Sequence, residues 1–75
     1  QLYLNAVAKP GTIRCALLDA AEQPIPGFAS ADCQPIVGDS TSLAVHWQGQ
    51  AQLPAGPLRL RVYLNEARLY SYWVE

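Results

Sequence analysis

Charge is scarce in this chain. Five basic and six acidic side chains among 75 residues form no run of Lys and Arg, which argues against nucleic acid or an anionic membrane surface as a partner. Histidine occurs once, at His46, and cysteine twice, at Cys15 and Cys33. Neither cysteine has a second Cys or a His at ligand spacing, so zinc held through sulfur is not expected. No apolar run approaches the roughly 20 residues that a membrane-spanning helix needs, and the first residues lack the basic, apolar and small-residue regions of a signal peptide. Gly27 and Gly38 stand alone with no helix predicted after them, so no glycine loop cradles a phosphate. No segment carries apolar residues at helical spacing over three turns, which excludes a helical fold.

What remains is a β pattern in a single small domain, residues 1–75, whose core is marginal unless a disulfide, a neighbouring domain or self-association adds to it. Residues 2–8 and 12–18 alternate on either side of Lys9-Pro10-Gly11 and predict a hairpin. Pro24 and Pro26 each remove a backbone donor, so residues 23–28 form an extended crossing segment. Residues 28–33 fit one helical turn capped by Ser30 or Asp32, ended by the break at Gly38-Asp39-Ser40. The whole stretch 24–47 is long for a connection in a compact domain, so it packs on something or has a use. Residues 42–48 predict a half-buried strand with Leu43, Val45 and Trp47 inward.

Leu58-Arg59-Leu60-Arg61-Val62-Tyr63-Leu64 alternates most cleanly and is expected at the centre of the sheet. A last strand over 68–75, joined through Asn65-Glu66-Ala67, completes a C-terminal hairpin with it. Two registers are open: one turns Leu69, Ser71 and Trp73 inward, the other buries Tyr70, Tyr72 and Val74 and leaves Trp73 beside the arginines. Burial of apolar bodies favours the second. The fold class is all-β, a small antiparallel β-sandwich, jelly-roll-like or part of one.

Chemistry is thinly represented. His46 falls on the solvent face of its strand with no nucleophile-elbow glycines near it, and Cys33 has no inferable neighbour that would lower its thiol pKa. The carboxylates scatter over loops and ends; calcium on Asp19, Asp32 or Asp39 would need clustered oxygens that the spacing does not supply. No catalytic residue, cofactor or metal is therefore expected. Cys15 and Cys33 remain either one disulfide or two buried thiols. Phe28 and Trp47 are assigned to packing. Trp73, with Arg59 and Arg61 as cross-strand neighbours, is the candidate ligand-binding face, since an exposed ring flanked by arginines suits a sugar's C–H face and hydroxyls.

From Thr12 onward the chain resembles a β-sandwich segment at the C-terminal end of secreted bacterial proteins, often behind glycoside hydrolase or sialidase-like propeller domains. The resembling residues include Pro24-Ile25-Pro26-Gly27-Phe28, Asp32-Cys33, Ile36-Val37-Gly38-Asp39-Ser40, Trp47 with Gly49, Pro57-Leu58-Arg59-Leu60-Arg61 and Leu69-Tyr70-Ser71-Tyr72. The resemblance implies a secreted or periplasmic, non-catalytic accessory module, carbohydrate-binding or carbohydrate-associated, and it transfers no ligand residues. The alternative is a structural module that docks on a catalytic domain or on its own copy. Cys15 stands where an aliphatic is usual and Arg68 where an acid is common. Such segments usually have a further strand before them, which leads one to expect an unpaired edge or an apolar face.

Overall fold

Strand β1 runs from Leu2 to Leu18, straight through the Lys9-Pro10-Gly11 step, in a computed structural model that describes residues 1–49 and 52–75. The expected N-terminal hairpin is therefore absent. The chain bends there without reversing, because both halves of β1 keep partners on both sides. On one side lies β2, Ile36–Ala44, with Leu4 opposite Leu43, Ala8 opposite Gly38 and Ile13 opposite Ile36. Its pairing is interrupted between Ala8 and Ile13, so the ladder steps across the corner. Gly38-Asp39-Ser40, expected to break the chain, lies inside this strand.

On the other side lie β3, Arg59–Asn65, and β4, Arg68–Val74. Strand β3 pairs with the 12–18 half of β1 and β4 with the 2–7 half, so the two lie end to end and the C-terminal hairpin is replaced by one long bent edge. Strand β3 is thus not central; β1 is. The corner between them is Glu66, whose φ of 51° lies in the left-handed region. Inside that corner Gly11 is buried against the Asn65 backbone.

Core-facing positions change parity at the bend. Leu2, Leu4, Ala6 and Ala8 are buried before it, and Ile13, Cys15 and Leu17 after it, and all of them belong to one core. The two halves of the sheet therefore face each other, which gives the antiparallel all-β, sandwich-like architecture expected from the sequence. Among the described residues no buried side chain is charged or polar, so the core is held by apolar burial.

The long 24–47 stretch serves the open side of β1 where β2 has ended. Leu17 donates its N–H to the Phe28 carbonyl at 2.9 Å and accepts from the Ile25 N–H at 2.9 Å. Between Leu17 and Ile13 no strand is available, and side chains take over: the Trp47 indole Nε1–H donates to the Cys15 carbonyl at 2.9 Å, and the Cys15 N–H reaches Cys33 Sγ at 3.4 Å. Buried backbone groups without a partner are costly, and this stretch supplies those partners. A single 3₁₀ turn, Ser30–Asp32, stands where a helical turn is expected. Its Asp32 carboxylate accepts the Ala29 N–H at 3.3 Å, while Ser30 makes no cap. Val45 and Trp47 are buried and His46 is exposed, as the alternation predicts, but β2 ends at Ala44 and residues 45–48 lie beyond it instead of completing the strand expected over 42–48. Trp47 packs on Phe28 with ring centroids 5.4 Å apart, and burying a ring of about 200 Å² is worth about 5 kcal/mol at 25 cal/mol/Å².

Two substitutions test this account by urea denaturation. A Cβ at Gly11 would lie 1.6 Å from the Asn65 carbonyl oxygen, so Gly11→Ala is expected to cost about 3 kcal/mol or to prevent folding. Trp47→Phe keeps an aromatic body but orphans the Cys15 carbonyl, at an expected cost of about 1–3 kcal/mol; a loss below about 0.5 kcal/mol would show that the indole bond does not matter.

Candidate functional site

Residues directly opposite in an antiparallel pair share a face. Trp73 stands opposite Tyr3 on the outer face of the first half of the sheet, whereas Arg61 and Arg59 stand opposite Ala16 and Leu18 on the outer face of the second half. Because the two inner faces share one core, the expected trio is split between opposite sides of the fold. Trp73 has Tyr3, not the arginines, as its cross-strand neighbour. The rings stack with centroids 5.7 Å apart and planes within 17°, so one face of the indole is occupied. Arg59 pairs with Glu22, Nη1 to Oε1 at 3.5 Å. Both side chains are more than half exposed, so the pair is worth at most about 1 kcal/mol.

The register of the last strand resolves in part as favoured. Tyr72 and Val74 share the face of Leu4 and Leu2, and Ser71 and Trp73 point the other way. Tyr70 is the residue passed over where the register slips between Ser71 and Leu69, and it is exposed. Burial does not follow, however: Tyr72 and Val74 are 58% and 61% exposed although they are on the core side. With Leu2, Leu17, Leu53, Leu58 and Leu60 they line an open apolar groove of about 160 Å³. The sequence showed the alternation of this strand pair but not its position, and a central strand would have been covered.

Backbone directions along the β3–β4 edge follow from the hydrogen bonds of β1. The Leu17 N–H and C=O turn toward residues 25–28, so those of Ala16 and Leu18 turn toward β3 and engage Arg61 and Arg59. At the other end Gln1 accepts the Glu75 N–H at 2.9 Å and Leu2 accepts from Val45, which sets Trp73 and Glu75 inward. The N–H and C=O groups of Leu60, Val62, Tyr72 and Val74 accordingly face away from β1, on a side where no strand pairs among the described residues. The outer edge of β2 is built differently, with Gly38, Asp39, Ser40, Thr41 and Ser42 in its centre.

Arg14, which the sequence did not single out, stands opposite Tyr63, with Arg61 and Arg59 further along the same outer face. Arg14 also borders a cleft of about 340 Å³ with Asp32, Gln34 and Gln48. Asp19 uses one carboxylate oxygen on its own turn, accepting from Ala21 at 2.9 Å and Gln23 at 3.0 Å. Among the described residues no three His, Cys, Asp or Glu side chains gather as metal ligands.

Both cysteines are free and buried. Burial pushes the Cys15 thiol up to about 12, and the neighbouring Cys33 adds to the shift. Cys33 is raised by burial as well, offset in part by its hydrogen bond from the Cys15 backbone and by Arg14. A neutral thiol is a poor nucleophile, which weighs against pairing Cys33 with the exposed His46.

No protein-family model matches the chain, and neither a curated protein nor a solved structure matches it.

Above about pH 8.5, the ordinary thiol value, the unfolded chain loses its thiol protons while folded Cys15 keeps its own up to about 12. Stability is therefore constant with respect to this group at lower pH and falls as pH rises through that window. Urea titrations should show a shallower decline in Cys15→Ala than in the parent; identical slopes would dismiss the buried thiol as the cause.

Proposed function

We propose that this chain is a non-catalytic accessory module that acts by contact, presenting the β3–β4 edge and its apolar groove to a protein surface. The exposure of Tyr72 and Val74 on the core side of the sheet carries the reading. Apolar side chains on an inward face are normally covered, and a groove flanked by an unpaired backbone edge is a place where a partner adds both apolar area and a ladder of hydrogen bonds. The raised thiols and the exposed His46 favour contact over catalysis.

Carbohydrate binding is a second reading, supported by a different surface from the one expected. Tyr63 is an exposed ring beside Arg14, near Arg61 and Arg59, next to a cleft bordered by Asp32, Gln34 and Gln48. Stacking on the ring with amide and guanidinium groups for hydroxyls is the chemistry a sugar requires. A secreted or periplasmic setting belongs to this reading.

The groove is tested with the fluorescent apolar dye 1-anilinonaphthalene-8-sulfonate on the folded protein. Dye binding by the monomeric protein at low micromolar concentration that Val74→Asp removes, with the circular dichroism spectrum unchanged, is expected; a folded monomer that binds no dye would refute an accessible groove. For the second reading, affinity electrophoresis across plant, algal and bacterial polysaccharides should show retardation that Tyr63→Ala and Arg14→Ala reduce, whereas Trp73→Ala leaves it unchanged.

A further inference from the structure

The geometry points to a second copy of this chain as the occupant of the β3–β4 edge, paired antiparallel in one register about a two-fold axis at Ala67. This rests on the contact-module reading above and names its partner. The residues whose N–H and C=O groups face out, among them Leu60, Val62, Tyr72 and Val74, are apolar and carry no lysine or proline to block pairing. An antiparallel pair formed by this edge with itself sets Leu60 opposite Val74 of the second copy and Val62 opposite its Tyr72. All four already turn their backbone groups toward the partner, so each opposition is a hydrogen-bonded one. The apolar side chains of both copies then share one face, and the uncovered grooves meet.

Charge selects this register from its neighbours. About the Ala67 axis, Arg59 lies opposite Glu75 of the other copy, Arg61 opposite Trp73, and Glu66 opposite Arg68. Slipping the pair by one pleat in one direction sets Glu66 against Glu66; slipping it in the other sets Arg68 against Arg68. Like charges directly opposite are unfavourable, and opposite charges favourable. The chain thus disfavours both adjacent registers as well as accepting the middle one, as a specific interface does. The bend is no obstacle in principle, since the same β3–β4 run already follows β1 as a ladder around its corner. A two-fold interface uses the same patch on both subunits, so this single edge suffices for closure. The Arg59 pairing with Glu22 is an exposed surface contact that the guanidinium can leave.

Sedimentation equilibrium of the 75-residue chain tests the proposal through charge reversal. The parent is expected to dimerise, Arg59→Glu and Glu75→Arg each to raise the dimer Kd at least tenfold, and the double reversal to restore it to within about threefold. Circular dichroism on each variant separates loss of pairing from loss of fold. Should Arg59→Glu fail to fold, Glu75→Arg with Glu66→Arg reads the same interface from the other side, with the same tenfold weakening expected. A parent that stays monomeric at several hundred micromolar overturns the second copy, as does a dimer indifferent to the reversals. Dye binding at the groove under those conditions would show that the contact-module reading survives with another partner; its absence would remove both.

Discussion

A single strand has to be satisfied along both of its edges for its whole length, and the rest of the fold follows from that requirement. Strand β1, Leu2–Leu18, is the one element to which every other strand pairs. Most of its residues are buried or half-buried, and a buried backbone donor or acceptor without a partner is costly. The β3–β4 run covers one edge on both sides of the bend, along Leu2 to Val7 and Thr12 to Leu18. The other edge is covered in pieces: β2, then the side chains of Trp47 and Cys33 at Cys15, then the backbone of residues 25–28 at Leu17. Trp47 is therefore both the largest core filler and a substitute for a missing strand.

The bend at Lys9-Pro10-Gly11 turns this ribbon into a domain. Because inward positions change parity there, one strand supplies core residues to both facing halves, and a small chain closes a core with a single folded sheet. Closure at the outer edge is incomplete. The segment that follows β2 brings Val45, Trp47 and Leu53 to the core, but it leaves the Tyr72 and Val74 end open. The same topology that satisfies β1 thus produces the apolar groove and an edge that is unpaired among the described residues.

The outer faces have a separate character. One half carries the Tyr3–Trp73 stack, the other Arg14, Arg59 and Arg61 around Tyr63. Two surfaces on opposite sides of the core allow a module to join a partner along its edge while a basic, aromatic face remains outward. The two readings of its function are compatible for that reason.

Local alternation by itself determined that the chain is all-β and which residues share a face within each uninterrupted run, because a period of two is a property of the backbone; it did not show the parity change inside β1 or the slip at Tyr70. It placed Val45 and Trp47 inward and His46 outward, and ring size assigned Phe28 to packing, but the cap stayed open between Ser30 and Asp32. Only the tertiary structure decided what those strands pair with. The alternation of residues 2–8 and 12–18 is the same whether the chain reverses at Pro10-Gly11 or bends, and that of residues 58–64 is the same at a sheet's centre or at its edge. Hydrogen-bond partners distant in sequence settle both, and through them the separation of Trp73 from Arg59 and Arg61, the approach of Arg14 to Tyr63, and the exposure of Tyr72 and Val74.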